Sequence, residues 1–322
     1  MKNLISIIAA DPNSINSEII AKLWKRKKFS KKLNIFVIGN YNLLKKQLKL
    51  LKINIKTEKI NELENKNFKK KLCIYDVPLQ FKKPFEVSSK DVSSYVIRSL
   101  KLGIKLANTK KISGFVNCPI NKKDVFGKSD YGITEFLGKF SGLYGKEAML
   151  IYNKELSVSP ITTHIKIKKV SSSISKKIIV NKITSINKFF LQKLKKKPKI
   201  AIVGLNPHNY EFRKNSEEKR IIIPAIKLLK SKNISVVGPI SADTAFVNYK
   251  NNGFNVIVGM YHDQVLTPFK TLFRFNAINI TVGLPFLRVS PDHGTGKNII
   301  KKNLADPESL LRSINFFKNI NV

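Results

Sequence analysis

Short apolar runs alternate along this sequence with longer amphipathic stretches, and that alternation constrains the fold more than any other feature. Residues 93–108 and 216–232 have the apolar spacing of helices. The apolar runs have the length of buried strands, and they read LISIIAA (4–10), NIFVIG (34–39), ISGFVN (112–117), KIAIVG (199–204), ISVVG (234–238), FNVIVGM (254–260) and AINITVG (277–283). Strands that alternate with helices predict an α/β fold.

The chain length and the cysteine usage indicate the class of protein. A chain of 322 residues is long enough for two domains of ordinary size. No stretch reaches the ~18 consecutive apolar residues of a membrane helix, and the N-terminal apolar run is interpreted as a first strand rather than a signal sequence. Cys73 and Cys118 are far apart, which disfavours a disulfide framework or a zinc knuckle. We therefore expect a soluble, cytoplasmic protein with free thiols.

The formal net charge of +39 raises the question of nucleic-acid binding. Most of the basic residues are lysines, and they are spread along the whole chain. The lysine runs at 69–71 and 194–199 lack the interleaved aromatic or arginine residues of a base-reading surface. The pattern predicts a solvated lysine surface without specific nucleic-acid recognition, although so basic a protein would bind polyanions at low salt.

Polar clusters follow several of the predicted strands directly. KIAIVG is followed by LNPHNYE, ISVVG by PISADT, FNVIVGM by YHDQ, and AINITVG by LPFLRVSPDHGTG. In open α/β sheets the ligand crevice lies beyond the carboxyl ends of the strands. We therefore expect these clusters to share one edge of the sheet and to contain the functional residues.

Three of the four histidines in the chain are candidates for a metal site. His208 and His262 come just after strand ends, and His164 follows the SPITT stretch. Three imidazoles around one open position are typical of a catalytic metal centre. No short metal motif joins these residues, so their spacing alone does not decide whether they form a metal site. A lone histidine is more often structural.

Groups that could bind an anionic substrate lie in the last third of the chain. Asn279 and Arg288 could hydrogen-bond such a substrate, and Lys270 adds a positive charge. The alternatives are that Arg288 pairs with Asp292 and that Lys270 is simply solvated. The DHGTG turn (292–296) has the glycines that allow close backbone approach to a ligand, as an ordinary turn would. No GxGxxG follows the first strand, so a Rossmann dinucleotide site is not indicated.

Several motifs together resemble one enzyme family in order and separation. They are TEFL (134–137), TTH (162–164), LNPH (205–208), GP..ADT (238–244), MYHDQ (260–264), Lys270 and NITVGLPFLRVSPDHGT (279–295). This set closely resembles 4-hydroxythreonine-4-phosphate dehydrogenases of pyridoxal phosphate biosynthesis, most strongly from about residue 112 onwards. The resemblance implies a two-lobed α/β/α fold of the isocitrate/isopropylmalate dehydrogenase type, with an active-site cleft between the lobes that a homodimer partner completes.

The resemblance also implies roles for individual residues. His164, His208 and His262 would bind a divalent metal (Zn, Mg or Co), with ligands drawn from both subunits. Phosphorylated substrate would contact Thr134, Lys270, Asn279 and Arg288, and NAD or NADP would contact His293, Gly294 and Thr295. Lys270 and Asp243 are the catalytic candidates. Asp243 could instead cap a helix, and Asp263 is interpreted as a group that orients a ligand histidine.

The implied reaction has two steps. Oxidation of 4-phosphohydroxy-L-threonine at C3 by NAD or NADP gives a ketone β to the carboxylate. Loss of CO2 then leaves 3-amino-2-oxopropyl phosphate. A metal at the C3 oxygen would assist both steps.

The sequence departs from the family pattern at four places. Ile133 stands where the family commonly has a substrate-contacting histidine, the stretch after His208 lacks glycine, the first loop (10–18) lacks its usual glycines, and THIKIKK departs just after His164. These changes leave open a related dehydrogenase of 4-phosphoerythronate or 4-phosphothreonate. A polyanion-binding protein with a lapsed enzyme fold is the alternative from another class, but retention of the three histidines, Lys270, Asn279 and Arg288 favours a working enzyme.

The domain boundaries follow from the same resemblance. Residues 1–125 with 285–322 are expected to form a discontinuous first lobe on the cofactor side. Residues 126–284 are expected to form a second lobe with the metal, the substrate and the dimer interface.

Overall fold

The computed structural model describes residues 4–26, 33–127, 132–318 and 320. The strands in these residues are β1 Leu4–Ile8, β2 Asn34–Gly39, β3 Thr57–Ile60, β4 Leu72–Asp76, β5 Gly114–Asn117, β6 Ala148–Tyr152, β7 Ser157–Pro160, β8 Ile200–Val203, β9 Val236–Ile240, β10 Val256–Gly259, β11 Ile278–Val282 and β12 Leu287–Pro291. The α-helices are α1 Asn16–Arg26, α2 Tyr41–Leu50, α3 Ser89–Asn108, α4 Lys122–Phe126, α5 Ile133–Phe140, α6 Val170–Ser173, α7 Lys176–Phe189, α8 Ile223–Ser231, α9 His262–Phe273 and α10 Glu308–Phe316.

Contacts divide the chain into two compact units. The first unit consists of Met1–Ser129 with Phe286–Val322, and the second consists of Asp130–Pro285. Each unit contains strands that pair with one another and helices that pack on them. The mixture of strands and helices confirms the predicted α/β class.

The first unit is built on parallel strands in the order β3-β4-β2-β1-β5-β12. All five residues of β1 are buried, which explains why this central strand is a continuous apolar run. Helix α3 packs on β1, β2 and β5, and α10 packs on β5 and β12. The last strand of the chain therefore joins this sheet beside β5.

The second unit contains strands in the order β11-β6-β7-β10-β8-β9. Strand β6 is antiparallel to both β11 and β7, whereas β7, β10, β8 and β9 run parallel. Because parallel strands end at the same edge of a sheet, the segments that follow β7, β10 and β8 emerge together. This arrangement confirms that the LNPH and YHDQ clusters share one edge.

The helices agree with the sequence pattern, with differences at their ends. Helix α3 begins four residues earlier than the predicted stretch, because Ser88 caps it by accepting a hydrogen bond from the Asp91 backbone N–H at 3.2 Å. The predicted helix 216–232 begins as a π-helical turn, Glu218–Ile222, before α8. None of the helices in the described residues is long and apolar enough to cross a membrane.

Candidate active site

The three candidate metal ligands follow the carboxyl ends of neighbouring strands in the second unit. His164 comes four residues after β7, and His262 is the first residue of α9, just beyond β10. His208 lies in a short helical turn, Pro207–Phe212, just beyond β8. The sheet therefore delivers all three histidines to one edge, although they are distant in sequence.

His164 and His262 lie close together. Their ring centroids are 5.8 Å apart, with the ring planes inclined at 43°. The Nδ1 atom of His262 is 2.9 Å from Oδ1 of Asp263. A carboxylate at one ring nitrogen fixes the tautomer and orients the other nitrogen for coordination. This contact agrees with the interpretation of Asp263 as a group that orients His262.

The separation of the His164 and His262 rings suits coordination of one divalent ion. With Zn–N bonds of about 2.0–2.1 Å, two imidazoles on one tetrahedral ion have ring centres about 5 Å apart, close to the observed separation. Neutral imidazoles are ligands that zinc-like ions prefer. Among the described residues, however, no three His, Cys, Asp or Glu side chains are gathered around one metal position. The structure thus brings together His164 and His262, and His208 does not complete a cluster with them.

His208 lies in an unusual stretch of backbone. Residues 208–212, called here the left-handed turn, all have φ values between 48° and 57°. Glycine adopts this conformation without penalty, whereas other residues do so at a cost. None of these five residues is glycine. The chain therefore adopts a left-handed backbone in this stretch without the help of glycine.

A buried carboxylate holds the chain just before the left-handed turn. The Glu218 side chain is fully buried. Its Oε1 accepts hydrogen bonds from the backbone N–H groups of Leu205 at 2.8 Å and Asn206 at 2.9 Å. Because these two donors lie immediately before Pro207 and His208, Glu218 fixes the direction in which the turn begins.

The loop that carries His164 is held by charged side chains. Glu135 accepts hydrogen bonds from the Thr163 hydroxyl at 2.6 Å and from the Gly132 backbone N–H at 2.9 Å. Burial acts to raise the pKa of Glu135, but the hydrogen bonds from Thr163 and from its own backbone N–H, with the positive charge of Lys182, outweigh it and hold the pKa below its usual range. Glu135 is thus an ionised anchor for this loop.

Lys182 was not foreseen as part of this site. Its ammonium is buried and donates to the Ile161 carbonyl at 2.8 Å. Burial lowers the pKa of Lys182, and the nearby carboxylates of Glu135 and Glu147 oppose that shift. The sequence carried a signal, because Lys182 has the helical spacing of the apolar face of α7, formed by Ile179, Ile183 and Ile186.

The candidate substrate residues of the second unit lie on three elements. Thr134, buried in the first turn of α5, has its hydroxyl 3.3 Å from that of Thr281 in β11. Asn279 is half-buried on the same strand. Lys270 lies eight residues after His262 in α9, and both side chains line one open depression on that helix. The helix therefore presents a metal-ligand candidate and a positive charge on one surface.

Two other sequence predictions concern residues of the second unit. Ile133 is the first residue of α5 and is buried. The position at which the resemblance leads one to expect a substrate-contacting histidine is therefore apolar. Asp243 is exposed in a series of turns, 242–250. Since no α-helix begins at that stretch in the described chain, the interpretation of Asp243 as a helix cap is wrong.

The remaining candidates belong to the first unit. Arg288 in β12 is buried, and its Nε donates to Oδ1 of Asn117 at 2.5 Å. Nδ1 of His293 is 2.9 Å from the carbonyl of Gly294. The Thr295 carbonyl accepts a hydrogen bond from the Ile15 backbone N–H at 3.1 Å, so the DHGTG stretch contacts the first loop.

The polar groups of the first loop are used within the first unit itself. The Asp11 carboxylate accepts from the backbone N–H groups of Asn13 and Asn121 at 2.8 and 2.9 Å. Burial raises the pKa of Asp11 despite these two hydrogen bonds. Glu18 accepts from the Ala305 backbone N–H at 2.7 Å. These contacts support a structural role for the glycine-poor loop.

Comparison with known proteins assigns the motifs to one family. The family model described as "Pyridoxal phosphate biosynthetic protein PdxA" matches residues 31–317. The chain is 38% identical over 317 residues to a 4-hydroxythreonine-4-phosphate dehydrogenase from Sulfurihydrogenibium sp., covering 96% of each protein. It is 32% identical over 324 residues to a protein from Oceanobacillus iheyensis whose name refers to D-threonate 4-phosphate dehydrogenase, covering 97% of this chain and 96% of the relative.

Solved structures agree with the sequence comparison. The crystal structure of a 4-hydroxythreonine-4-phosphate dehydrogenase from Klebsiella pneumoniae superposes with a TM-score of 0.85 at 29% identity, covering 99% of this chain and 98% of that one. An isocitrate dehydrogenase from Methylococcus capsulatus superposes with a TM-score of 0.50 at 10% identity, covering 97% and 83%. The second likeness concerns the fold alone and confirms the predicted isocitrate dehydrogenase-like architecture.

Proposed function

The chain belongs to the PdxA family of pyridoxal phosphate biosynthetic proteins, and we propose that it oxidises 4-phosphohydroxy-L-threonine at C3 with NAD or NADP. The resulting β-keto acid loses CO2 to give 3-amino-2-oxopropyl phosphate. The observation that carries this proposal is the close pair of His164 and His262, with Asp263 at the second ring, in a chain of this family.

His164, His208 and His262 are the residues that would hold a divalent ion. When bound, such an ion would supply Lewis acidity for the oxidation and the decarboxylation, and a bound nicotinamide would take up the hydride. Asp263 keeps the His262 ring in one orientation. We propose that the working enzyme is a homodimer, because the resemblance implies ligands from two subunits and because, among the described residues, His208 does not complete a cluster with His164 and His262.

The charged and polar candidates match the groups of the substrate. Lys270 and Arg288 neutralise its phosphate and carboxylate, and Thr134 and Asn279 hydrogen-bond its polar atoms. Lys270 counts as catalytic as well as binding, since positive charge favours the anion that forms when CO2 leaves. Asp243, which is exposed, is the group assigned to accept the hydroxyl proton. His293, Gly294 and Thr295 are assigned to the nicotinamide cofactor.

The experiment that tests this function follows NADH or NADPH absorbance with purified protein, a divalent metal and 4-phosphohydroxy-L-threonine. We expect absorbance to rise, and to stop rising when a chelator is added or when His262→Ala replaces the native protein. Asp263→Asn serves as the matched comparison, because it retains the metal ligand and weakens only the contact that orients it. A reduced but measurable rate is expected for that variant. No turnover in the native protein would contradict the proposal.

A second function within the same reaction class is favoured by Ile133. This buried residue cannot donate a hydrogen bond to substrate, and a relative at 32% identity has a name that refers to D-threonate 4-phosphate. The same assay run with 4-phosphothreonate and 4-phosphoerythronate distinguishes the two functions. Turnover with either compound, and none with the amino acid, would select the sugar-acid dehydrogenase. Absence of turnover with all three would favour the polyanion-binding alternative.

A further inference from the structure

The side-chain amide of Gln264 links two strand ends. Gln264 lies in the first turn of α9. Its Oε1 accepts a hydrogen bond from the Met260 backbone N–H at 2.7 Å. Its Nε2 donates to the Gly204 carbonyl at 2.7 Å. One planar group thus satisfies a donor on one segment and an acceptor on another.

The two linked positions lie just before metal-ligand candidates. Met260 follows β10 and precedes His262 by two residues, while Gly204 follows β8 and precedes His208 by four. The two strands are paired as parallel neighbours. The Gln264 amide therefore spans the gap between the segments that carry His208 and His262.

The residues around Gln264 leave no space for a side chain at position 259. A Cβ on Gly259 would lie 3.0 Å from Oε1 of Gln264 and 2.6 Å from Cγ1 of Val265. Glycine at 259 therefore lets the first turn of α9 rest against the strand end. The Met260 carbonyl also accepts from the Thr162 hydroxyl at 2.7 Å, which extends the connection to the segment that carries His164.

We propose that Gln264 is a positioning residue for the metal centre: it holds the Met260 segment at the end of β8, and so fixes His262 relative to its close neighbour His164. This inference rests on the proposed function, since it assumes that His164 and His262 share an ion. The alternative is a local role, in which the bond to Met260 only stabilises the start of α9. A local role predicts lower thermal stability with unchanged metal affinity and geometry.

The test measures Co²⁺ binding to the whole protein by isothermal titration and by its visible absorption bands, which report coordination geometry. Gln264→Met removes both hydrogen bonds without adding charge. Gln192→Met makes the same change at an exposed position of the second unit. We expect Co²⁺ affinity to fall on the order of tenfold in Gln264→Met, as for other supporting residues of metal sites, with altered bands. The Gln192 variant should match the native protein.

A second variant separates positioning from charge and from misfolding. Gln264→Glu retains an acceptor for Met260 but places an oxygen against the Gly204 carbonyl. Positioning predicts that its Co²⁺ affinity also falls, although a negative charge near a cation would by itself raise it. Circular dichroism checks that both variants are folded. Native affinity and bands in a folded Gln264→Met protein would overturn the inference alone. Failure of the native protein to bind Co²⁺ would overturn the metal site and this inference with it.

Discussion

The second unit contains two regions that present histidines in opposite ways. The tied region, residues 161–164 with 259–264, has ordinary backbone and is held by hydrogen bonds that Glu135 and Gln264 accept and Lys182 donates. The left-handed turn, residues 208–212, has positive φ throughout, and Glu218 anchors only the residues just before it, Leu205 and Asn206. The difference shows that candidate ligand histidines at one sheet edge can be positioned in two ways: by hydrogen bonds from neighbouring segments, or by a local backbone conformation that is unfavourable for non-glycine residues.

The two arrangements differ in where their free-energy cost lies. A left-handed conformation costs a non-glycine residue roughly 1–2 kcal/mol, so the turn persists only because its surroundings impose it. In the tied region the cost is the desolvation of buried charges, which their mutual attraction offsets in part. Substitutions of the buried charge, of the Glu218 anchor and of a left-handed residue therefore test how each region is stabilised.

The largest expected effect comes from removing the buried ammonium of the tied region. Lys182→Met leaves the carboxylates of Glu135 and Glu147 without their buried partner, so we expect a loss of about 3–5 kcal/mol in the free energy of unfolding. Urea denaturation measures this change. Lys177→Met makes the same substitution at an exposed site on the same helix and should have little effect. Equal stability of the two variants would show that the buried charge contributes nothing to the tied region.

A smaller loss is expected from the anchor of the left-handed turn. Glu218→Ala leaves the backbone N–H groups of Leu205 and Asn206 without their acceptor, and we expect a destabilisation of about 2 kcal/mol. The same denaturation experiment measures it, with the exposed Glu155→Ala as the control. If both glutamate variants unfold at the same urea concentration, the turn does not depend on Glu218.

The smallest effect has the opposite sign. Glu211→Gly places glycine at φ 49° in the left-handed turn, at the loss of only an exposed ion pair with Arg213. We expect a gain of about 1 kcal/mol in stability. Lys214→Gly, just outside the turn, should instead lower stability, because glycine there only adds flexibility to the unfolded chain. A stability loss in both variants would mean that the turn is not left-handed in solution.

Sequence reasoning predicted seven of the described strands and did not predict β3, β4, β6, β7 and β12, although β4 (LCIYD) and β6 (AMLIY) are largely apolar. Strand β7 (SVSP) contains two buried serines, and β12 (LRVSP) has the buried Arg288 at its second position. Arg288 is buried there with a hydrogen bond to Asn117, and the Ser157 hydroxyl donates to the Asn153 carbonyl at 3.4 Å. Strand β3 (TEKI) is a short, partly exposed edge strand. An apolar pattern cannot reveal such strands.

The candidate site shows the same division. The positions of His208 and His262 just beyond strand ends could be read from the sequence, because those strand ends are visible as changes in composition. The position of His164 could not, because β7, which precedes it, was not predicted. The roles of Glu218 and Gln264 could not, because each side chain contacts segments that only the folded sheet brings near. The backbone of the left-handed turn could not be predicted either, because residues other than glycine rarely adopt positive φ.

The discontinuous first unit affects the order in which the protein can fold during synthesis. Strand β5 pairs with β12, which is synthesised only after the whole second unit. At a typical rate of about 5–20 residues per second, the edge of β5 stays open for many seconds. The second unit, which is continuous in sequence, has all its strands before then. Chaperone dependence during translation should therefore concentrate on the first unit, whose nascent edge strand invites aggregation.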